Sequence, residues 1–329
     1  MDDKLKIGIV GATGLVGQTA IEVLNERSPE NCEFSAYATE RIKGRMIAIN
    51  ESVIHVETYP SKPPDLDYAL FCAPNEVAKT LVPEWRNAGI RIIDNSSVFR
   101  LDAAVPLVVP EVNSSDISDA SGLIANPNCS TIQLAVVLEP LHKAFGIKRV
   151  SVATYQSVSG AGAEAVEQWE NEIAGETVSK SPFPRPIHAN VIPQIGEFNE
   201  SGFTSEEAKL MKELKKILHL DNIPISATAV RVPVRTGHSE AVEVSLNGKP
   251  DLKEVSRCFT NKEGLVVSAP GEYHTPLEIA GSNEVFISRI REHPDEKGTF
   301  LFWVVADNLR KGAATNAVQI MEKWIVSGE

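Results

Sequence analysis

Cys129, in Asn126-Pro127-Asn128-Cys129-Ser130-Thr131, is the residue of this chain best suited to covalent chemistry. The apolar run from Ile132 to Leu138 reads as a helix, capped by Ser130 or a neighbour, so Cys129 falls in its first turn. Free amides and the helix dipole at such a start favour an anion. A cysteine there is expected to have a lowered pKa and to react as a thiolate. The same amides can stabilise the oxyanion formed on an attacked carbonyl. Taken alone, the hexapeptide also fits a small cysteine buried at a helix start.

A cysteine nucleophile needs an acid/base partner, and imidazole suits that task near neutral pH. Among seven histidines, His238 stands apart, following a strand and a glycine in Val230-Arg231-Val232-Pro233-Val234-Arg235-Thr236-Gly237-His238-Ser239. His55 reads as part of a strand, His142 and His219 as helical, and His188, His274 and His293 lie near prolines. The strand pattern ends between Arg231 and His238, so both can face one pocket. A guanidinium there can grip a carboxylate bidentately.

The elements around these residues follow two patterns. Lys6 to Val10 is a buried-strand run, followed by Gly11-Ala12-Thr13-Gly14-Leu15-Val16-Gly17 and a helix from Gln18 to Glu26. The spacing is G-x-x-G-x-x-G, which permits a tight turn and brings a pyrophosphate close to a helix N-terminus. Strands Glu33–Ala38, Asp67–Cys72 and Arg91–Asp94, with a helix over Asn75–Ala88, continue the alternation. That alternation predicts a parallel, doubly wound sheet with a dinucleotide at its carboxyl ends. The second strand ends in Ala38-Thr39-Glu40-Arg41. Arg41 with Thr39 can hold a 2′-phosphate, which argues for NADP. Glu40 can instead take the ribose hydroxyls, and Arg41 also fits a solvated loop charge.

Beyond Cys129 strands dominate: Arg149–Val158, Ile225–Val232, Glu240–Leu246, Asn283–Arg291 and Thr299–Ala306. Thr204–Leu220 reads as an amphipathic helix with Leu210, Leu214, Ile217 and Leu218 on its apolar face. A final helix, Leu309–Val326, is expected to pack back on the first domain. The fold class is thus an α/β N-terminal Rossmann-like doubly wound domain plus an α+β C-terminal domain with a mixed, largely antiparallel sheet. The expected boundaries are 1–128 with 309–329, and 129–308.

Composition narrows the function. A chain of 329 residues with 43% hydrophobic and 23% charged residues is ordinary for a soluble globular protein. A net charge of −12 argues against nucleic acid and anionic membranes as partners. Cys32, Cys72, Cys129 and Cys258 lie far apart without a C-x-x-C pair, so neither a disulfide framework nor a metal site is expected. The charged start Met1-Asp2-Asp3-Lys4-Leu5 leaves no signal peptide, and no apolar run would span a bilayer. The expected compartment is a reducing cytoplasm.

Over essentially its full length the chain resembles the aspartate-β-semialdehyde dehydrogenases of bacteria and plants. The resemblance rests on Gly11–Gly17, Asp94–Arg100, Asn126–Thr131, Thr154–Gly162, Phe203–Lys209, Arg231–His238 and Asp307–Ala313. It implies NADPH-dependent reductive dephosphorylation of L-aspartyl 4-phosphate to the semialdehyde through a Cys thioester, in lysine (diaminopimelate), threonine, methionine and isoleucine biosynthesis. It also implies a homodimer. By position, Cys129 is the nucleophile, His238 the acid/base and Gln156 the residue that orients the substrate. Arg231 matches the grip on the α-carboxylate and Glu206 the residue facing the amino group. Arg100 and Lys209 match phosphate-binding positions, with Asn95 and Ser97 nearby, and Asn128 belongs to the substrate set. Gly11, Thr13, Gly14, Leu15, Val16, Gly17, Thr39, Arg41, Ser159, Gly160 and Asn308 make the cofactor set, Asn308 beside the nicotinamide. Two stretches depart from the family. Ala38-Thr39-Glu40-Arg41-Ile42-Lys43-Gly44 replaces Ala-Ser-x-Arg-Ser-Ala-Gly, and Ala189-Asn190-Val191 stands where Phe-Asn precedes Ile-Pro-Gln. N-acetyl-γ-glutamyl-phosphate reductases share the Cys/His logic, but their Asn-Pro-Gly-Cys-Tyr differs at Asn128 and Ser130. A noncatalytic NADP-sensing Rossmann protein would not need Cys129 with His238 and Arg231.

Overall fold

The computed structural model describes residues 4–27, 31–50, 52–118, 121–176, 181–220 and 222–327. Met1, Asp2 and Asp3, the first residues of the charged start, lie outside these. The chain divides into two compact units, Met1–Pro127 with Ala313–Glu329, and Asn128–Gly312.

The first unit contains β1 (Leu5–Val10), α1 (Leu15–Arg27), β2 (Cys32–Ala38), β3 (Met46–Ile49), β4 (Ser52–Thr58), β5 (Tyr68–Phe71), α2 (Asn75–Asn87), β6 (Arg91–Asp94), α3 (Pro110–Asn113) and β7 (Leu123–Ala125). The sheet order is β3-β4-β2-β1-β5-β6-β7, parallel throughout except for β3 against β4. Tyr68 to Phe71 are all buried, as expected for a central parallel strand covered on both faces. The β3–β4 hairpin and the short β7 go beyond the sequence reading, which had found only His55 in a strand. Met46 and Val53 are exposed on that edge, so no buried face imposes a clear pattern there.

The second unit contains α4 (Cys129–Phe145), β8 (Ile147–Gln156), α5 (Ala163–Ile173), α6 (Ser205–Ile217), β9 (Ile225–Arg231), β10 (His238–Leu246), α7 (Leu252–Cys258), β11 (Leu265–Val267), α8 (Pro276–Ile279), β12 (Val285–Glu292) and β13 (Thr299–Ala306). Its sheet order is β11-β12-β13-β10-β8-β9. The three central pairings are antiparallel and the two outer ones parallel. The strand expected to reach Val158 stops at Gln156, and Val158–Ala161 form a 3-10 turn instead. α6 stops at Ile217, leaving His219 outside the helix in a left-handed conformation (φ 52°).

The expected final helix is interrupted at its start. Arg310–Ala314 form a π-helical turn before α9 (Thr315–Ser327), which belongs to the first unit. The cause is local: Asp307 Oδ1 accepts from Leu309 and Arg310 N–H, and its carbonyl accepts from Gly312 N–H (3.0 Å). The i→i+5 closure widens the turn. Within the first unit Trp324 of α9 packs edge-on to Tyr68 (5.9 Å), and Arg27 of α1 pairs with Glu322 (2.6 Å).

Strand register in the second unit aligns the functional positions. Gln156 pairs with Arg231, Thr154 with Glu240, and Tyr155 with Ser239. Residues alternate between faces along a strand. Arg231, Gln156 and His238 therefore form one row at the sheet end, and Thr154 and Glu240 the row beneath it.

Candidate active site

Cys129 is the first residue of α4, and the cap is its neighbour Asn128. Asn128 Oδ1 accepts from Ser130 N–H (2.9 Å) and Thr131 N–H (3.3 Å). The dipole of α4 is directed at Cys129 from this start, which favours negative charge on the sulfur. Asn128 is itself fixed twice: its N–H donates to Glu213 Oε2 and its Nδ2 to Glu206 Oε1, both at 2.7 Å. Gln156 Nε2 donates to the same Glu206 oxygen (3.2 Å), and Thr154 Oγ1 donates to Gln156 Oε1 (3.1 Å). Glu206 thus ties the cap of the cysteine helix to the end of β8. Its other oxygen lies 3.8 Å from Lys209 Nζ, one turn along α6. A Cβ on Gly312 would come within 3.0 Å of Cys129 Cβ, so the chain passes the cysteine closely there.

His238 is fully buried at the start of β10. Ser157 N–H donates to its Nδ1 (3.1 Å), which puts the proton of the neutral ring on Nε2. Nε2 has no hydrogen-bond partner among the described residues. It faces Gly160, where a Cβ would stand 2.9 Å from Nε2 and equally from Arg231 Nη1. Burial first, then the charge of Arg231, holds the imidazole well below its ordinary pKa, so the resting ring is neutral.

Arg231 is buried, and its Nη1 donates to Ser157 O (2.6 Å). Burial lowers the guanidinium's pKa, while Glu206 and then Cys129 oppose that shift. Arg231, Glu206, Lys209, Gly160, Phe183 and Gln194 line a cleft of about 480 Å³. A buried cation and a carboxylate in one cleft suit a small substrate carrying both charges. The expected cofactor residues Ser159 and Asn308 bond to each other (3.0 Å) in this unit.

Glu240, two residues beyond His238, is a fully buried carboxyl with no hydrogen bond of good geometry to either oxygen among the described residues. Burial pushes its pKa up to about 8, and the nearby amide of Gln133 offsets part of that. The folded protein therefore keeps a proton that the unfolded chain releases near the ordinary value of 4.5. This contribution to stability is complete below about pH 4.5 and is lost as pH rises to about 8, on the order of a few kcal/mol. Glu240→Gln cannot ionise. Its melting temperature relative to the parent should rise steadily from about pH 5 to pH 9, measured by scanning calorimetry. A flat difference would mean that the carboxyl is already ionised in the fold.

The first unit holds the rest of the expected set. Gly11 has φ +83°, and a Cβ there would stand 2.6 Å from Cys72 O; a Cβ on Gly17 would stand 2.2 Å from Gly11 O. These two glycines are demanded by the turn itself. Gly14 is not: it is exposed and its nearest neighbour would be 3.5 Å away, so the open side of the turn can receive a ligand. The first α1 ladder bond is Gln18 N–H to Gly14 O, which leaves the amides of Leu15, Val16 and Gly17 pointing out of the helix start. Thr13 O accepts from the Gln18 side chain. Gly11 N–H bonds to Tyr37 O, which brings the end of β2, with exposed Thr39 and Arg41, alongside this turn. Arg100 is nearly buried and donates to Asn95 O (2.7 Å), and Ser97 is braced by Asn75.

Cys129, Gln156, His238, Asn128, Glu206, Lys209 and Arg231 thus converge within the second unit, while the glycine turn, Thr39, Arg41 and Arg100 belong to the first. Sequence reasoning gave no role to Ser157, Glu213 or Gly312. Ser157 and Gly312 sit inside quoted motifs, whereas nothing in the local pattern marks Glu213. Among the described residues no group of three His, Cys, Asp or Glu side chains could hold a metal ion, and no helix is long and apolar enough to cross a membrane.

Two family models match: semialdehyde dehydrogenase, NAD binding domain, over residues 6–120, and semialdehyde dehydrogenase, dimerisation domain, over residues 138–311. The aspartate-semialdehyde dehydrogenase of Aquifex aeolicus is 43% identical over 335 residues, covering 98% of each chain. The crystal structure of aspartate semialdehyde dehydrogenase II of Vibrio cholerae, complexed with ASA, superposes with a TM-score of 0.94 at 38% identity and 98% coverage of each chain. The Candida albicans enzyme, crystallised with NADP, superposes with a TM-score of 0.77 at 25% identity over 99% of each chain.

Proposed function

The chain belongs to the aspartate-semialdehyde dehydrogenase family, and from that premise we propose that it converts L-aspartyl 4-phosphate to L-aspartate 4-semialdehyde and phosphate with NADPH, through a thioester on Cys129. The observation that carries this reading is Glu206, whose one oxygen joins Asn128, the cap beneath Cys129, to Gln156, while its other faces the cleft with Lys209. Nucleophile helix and substrate cleft are thereby built as one object.

The Cys129 thiolate attacks the acyl carbon of the substrate, the carbon–oxygen bond to phosphate breaks, and phosphate leaves as an anion. Lys209 and Arg100 are the cations assigned to it. Arg231 holds the α-carboxylate and the second oxygen of Glu206, the one near Lys209, the amino group. When bound, the nicotinamide cofactor supplies hydride to the thioester carbon. Protonated His238 gives its Nε2 proton to the oxygen that gains charge, and Nε2 takes that proton back as the carbon–sulfur bond breaks to give aldehyde and thiolate. In the opposite direction Nε2 accepts the proton of the thiohemiacetal from the ring form that carries its own proton on Nδ1, towards Ser157 Oγ. An assay with L-aspartate-β-semialdehyde, phosphate and NADP⁺, following the reduced cofactor, tests the whole reading. No phosphate-dependent reduction would overturn it.

The residues of the first unit fit the nucleotide, with Gly14 uncrowded and the amides of Leu15 to Gly17 available to its pyrophosphate. The preference for NADP rests on Arg41. Glu40, the acidic alternative, is within 3.5 Å of Lys43, while Arg41 is exposed at the end of β2. Arg41→Ala should weaken NADPH more than NADH by about 1.5–3 kcal/mol, roughly 10- to 150-fold in KM. Equal losses with both cofactors would show that Arg41 does not read the 2′-phosphate.

A homodimer built on the second unit is supported by the dimerisation-domain match and by the sheet face opposite α4, where the exposed Tyr155 lies against Trp303 (5.5 Å). Four cysteines, none of them in a disulfide, fit a reducing cytoplasm.

A further inference from the structure

Asn308 was expected beside the nicotinamide, yet in this structure its side-chain amide is engaged by its own unit. It is buried, and its Oδ1 accepts from Gly237 N–H (2.8 Å), Ser157 Oγ (3.0 Å) and Ser159 Oγ (3.3 Å), while its Nδ2 donates to Ser159 Oγ (3.0 Å). Two of these contacts bracket His238. Gly237 is the residue before it, and Ser157 is the partner of its Nδ1.

The geometry at Nδ1 is double. Ser157 N–H points at Nδ1 from 3.1 Å, and Ser157 Oγ stands 3.1 Å from the same atom. With the Ser157 hydroxyl proton donated to Asn308, the lone pairs of Oγ are left towards the ring. A neutral ring protonated at Nε2 is satisfied by the amide donor. An imidazolium, which must donate from Nδ1, is satisfied by Oγ. A lone amide donor would oppose the imidazolium, and a carboxylate would favour it permanently. Here neither form requires the side chain to repack.

We propose that Ser157 and Asn308 are a positioning pair for His238: Ser157 Oγ, its own proton held by Asn308, accepts from Nδ1–H, so that the ring can carry one proton on Nδ1 while Nε2 takes up and releases another during turnover. This rests on His238 being the acid/base of the reaction. Of the titratable and charged groups, Arg231 from β9 acts on the ring directly, Glu206 from α6 and Cys129 from α4 act on Arg231, Lys209 pairs with Glu206, and Glu240 and Asp307 lie beside His238 and Asn308 in sequence. None of them is changed in the variants that follow.

Ser157→Ala keeps the amide donor and removes the acceptor. It should lower kcat for semialdehyde oxidation about tenfold or more, with KM for semialdehyde and NADP⁺ within about threefold of the parent. Asn308→Asp keeps every acceptor contact and adds a negative charge behind Ser157. It should raise the acid limb of the kcat–pH profile by about one unit, and the ring titration of His238, followed by nitrogen NMR, should move with it. A parental kcat in Ser157→Ala would overturn the proposal. So would an Asn308→Asp enzyme with an unmoved profile and a raised KM for NADP⁺, which would mark Asn308 as a cofactor contact only. His238→Gln separates the two layers of the argument. If it turns over normally, the acid/base reading fails. If it is inactive while Ser157→Ala is normal, the positioning pair alone fails. Should Asn308→Asp not fold, Ser157→Ala and Ser157→Thr decide the matter, since threonine retains the hydroxyl and should restore kcat.

Discussion

Cys129→Ala should abolish turnover, lowering kcat by about four orders of magnitude or more, while NADPH still binds and the melting temperature stays near that of the parent. The magnitude follows from the chemistry: without sulfur no thioester forms, and water is a poor substitute at an acyl carbon held for a thiolate. The fold should tolerate the change because Asn128 caps α4 through its own side chain and not through Cys129. Selectivity among the cysteines is equally testable. Burial, with Asp94 adding to it, pushes the Cys72 thiol up to about 12. Burial also raises Cys32 and Cys258. Iodoacetamide near neutral pH should therefore alkylate Cys129 first, and substrate should protect it. Cys32→Ser, Cys72→Ser and Cys258→Ser should each retain most of the activity. A correctly folded Cys129→Ala protein with a substantial rate would remove the nucleophile assignment.

What the sequence disclosed about this site divides by range. Cys129 at a helix start, the glycine turn between β1 and α1, and the strand expected over Ile225–Val232, which ends one residue earlier at Arg231, are local patterns of period, cap and turn, and the structure contains them. The partners that make those residues work are remote. Asn128 meets Glu213 across 85 positions, and Ser157 meets Asn308 across 151. No period or cap rule links such pairs. Ser157 looks like an unremarkable serine near the end of an expected strand until β10 brings His238 against it. Asn128 is an instructive intermediate case. Its difference from the glycine of Asn-Pro-Gly-Cys-Tyr was visible as a letter. Its consequence, a side chain that caps α4 with one end and reaches Glu206 with the other, needed the fold. The missed elements have the same origin. β3 and β4 form an exposed edge, and the π-helical turn before α9 depends on Asp307 reaching ahead to Leu309 and Arg310.

Arg231→Lys should be a poor replacement despite keeping the charge, with kcat/KM for the semialdehyde lowered about 100-fold or more. The guanidinium sits buried beside the cleft, spends Nη1 on Ser157 O (2.6 Å), and has further N–H groups for a carboxylate. A lysine ammonium reaching the same place has three donors in a different geometry. It cannot make a parallel pair of bonds to a carboxylate while also serving Ser157 O, and losing one charge-assisted pair costs about 3 kcal/mol. Burial adds to the loss, because an ammonium is more strongly hydrated than a guanidinium. Most of the effect should fall on the semialdehyde, since the residues assigned to the nucleotide's pyrophosphate and 2′-phosphate belong to the other unit. KM for NADP⁺ should therefore stay within about threefold. The competing account makes Arg231 a structural brace for the Ser157–Gly160 turn, whose carbonyl it holds. The two separate when kinetics and melting temperature are taken on one sample. A fall of many degrees with losses for both substrates would favour the brace. A near-parental kcat/KM would take Arg231 out of the site. A selective loss with the melting temperature kept would leave it as the residue that reads the α-carboxylate.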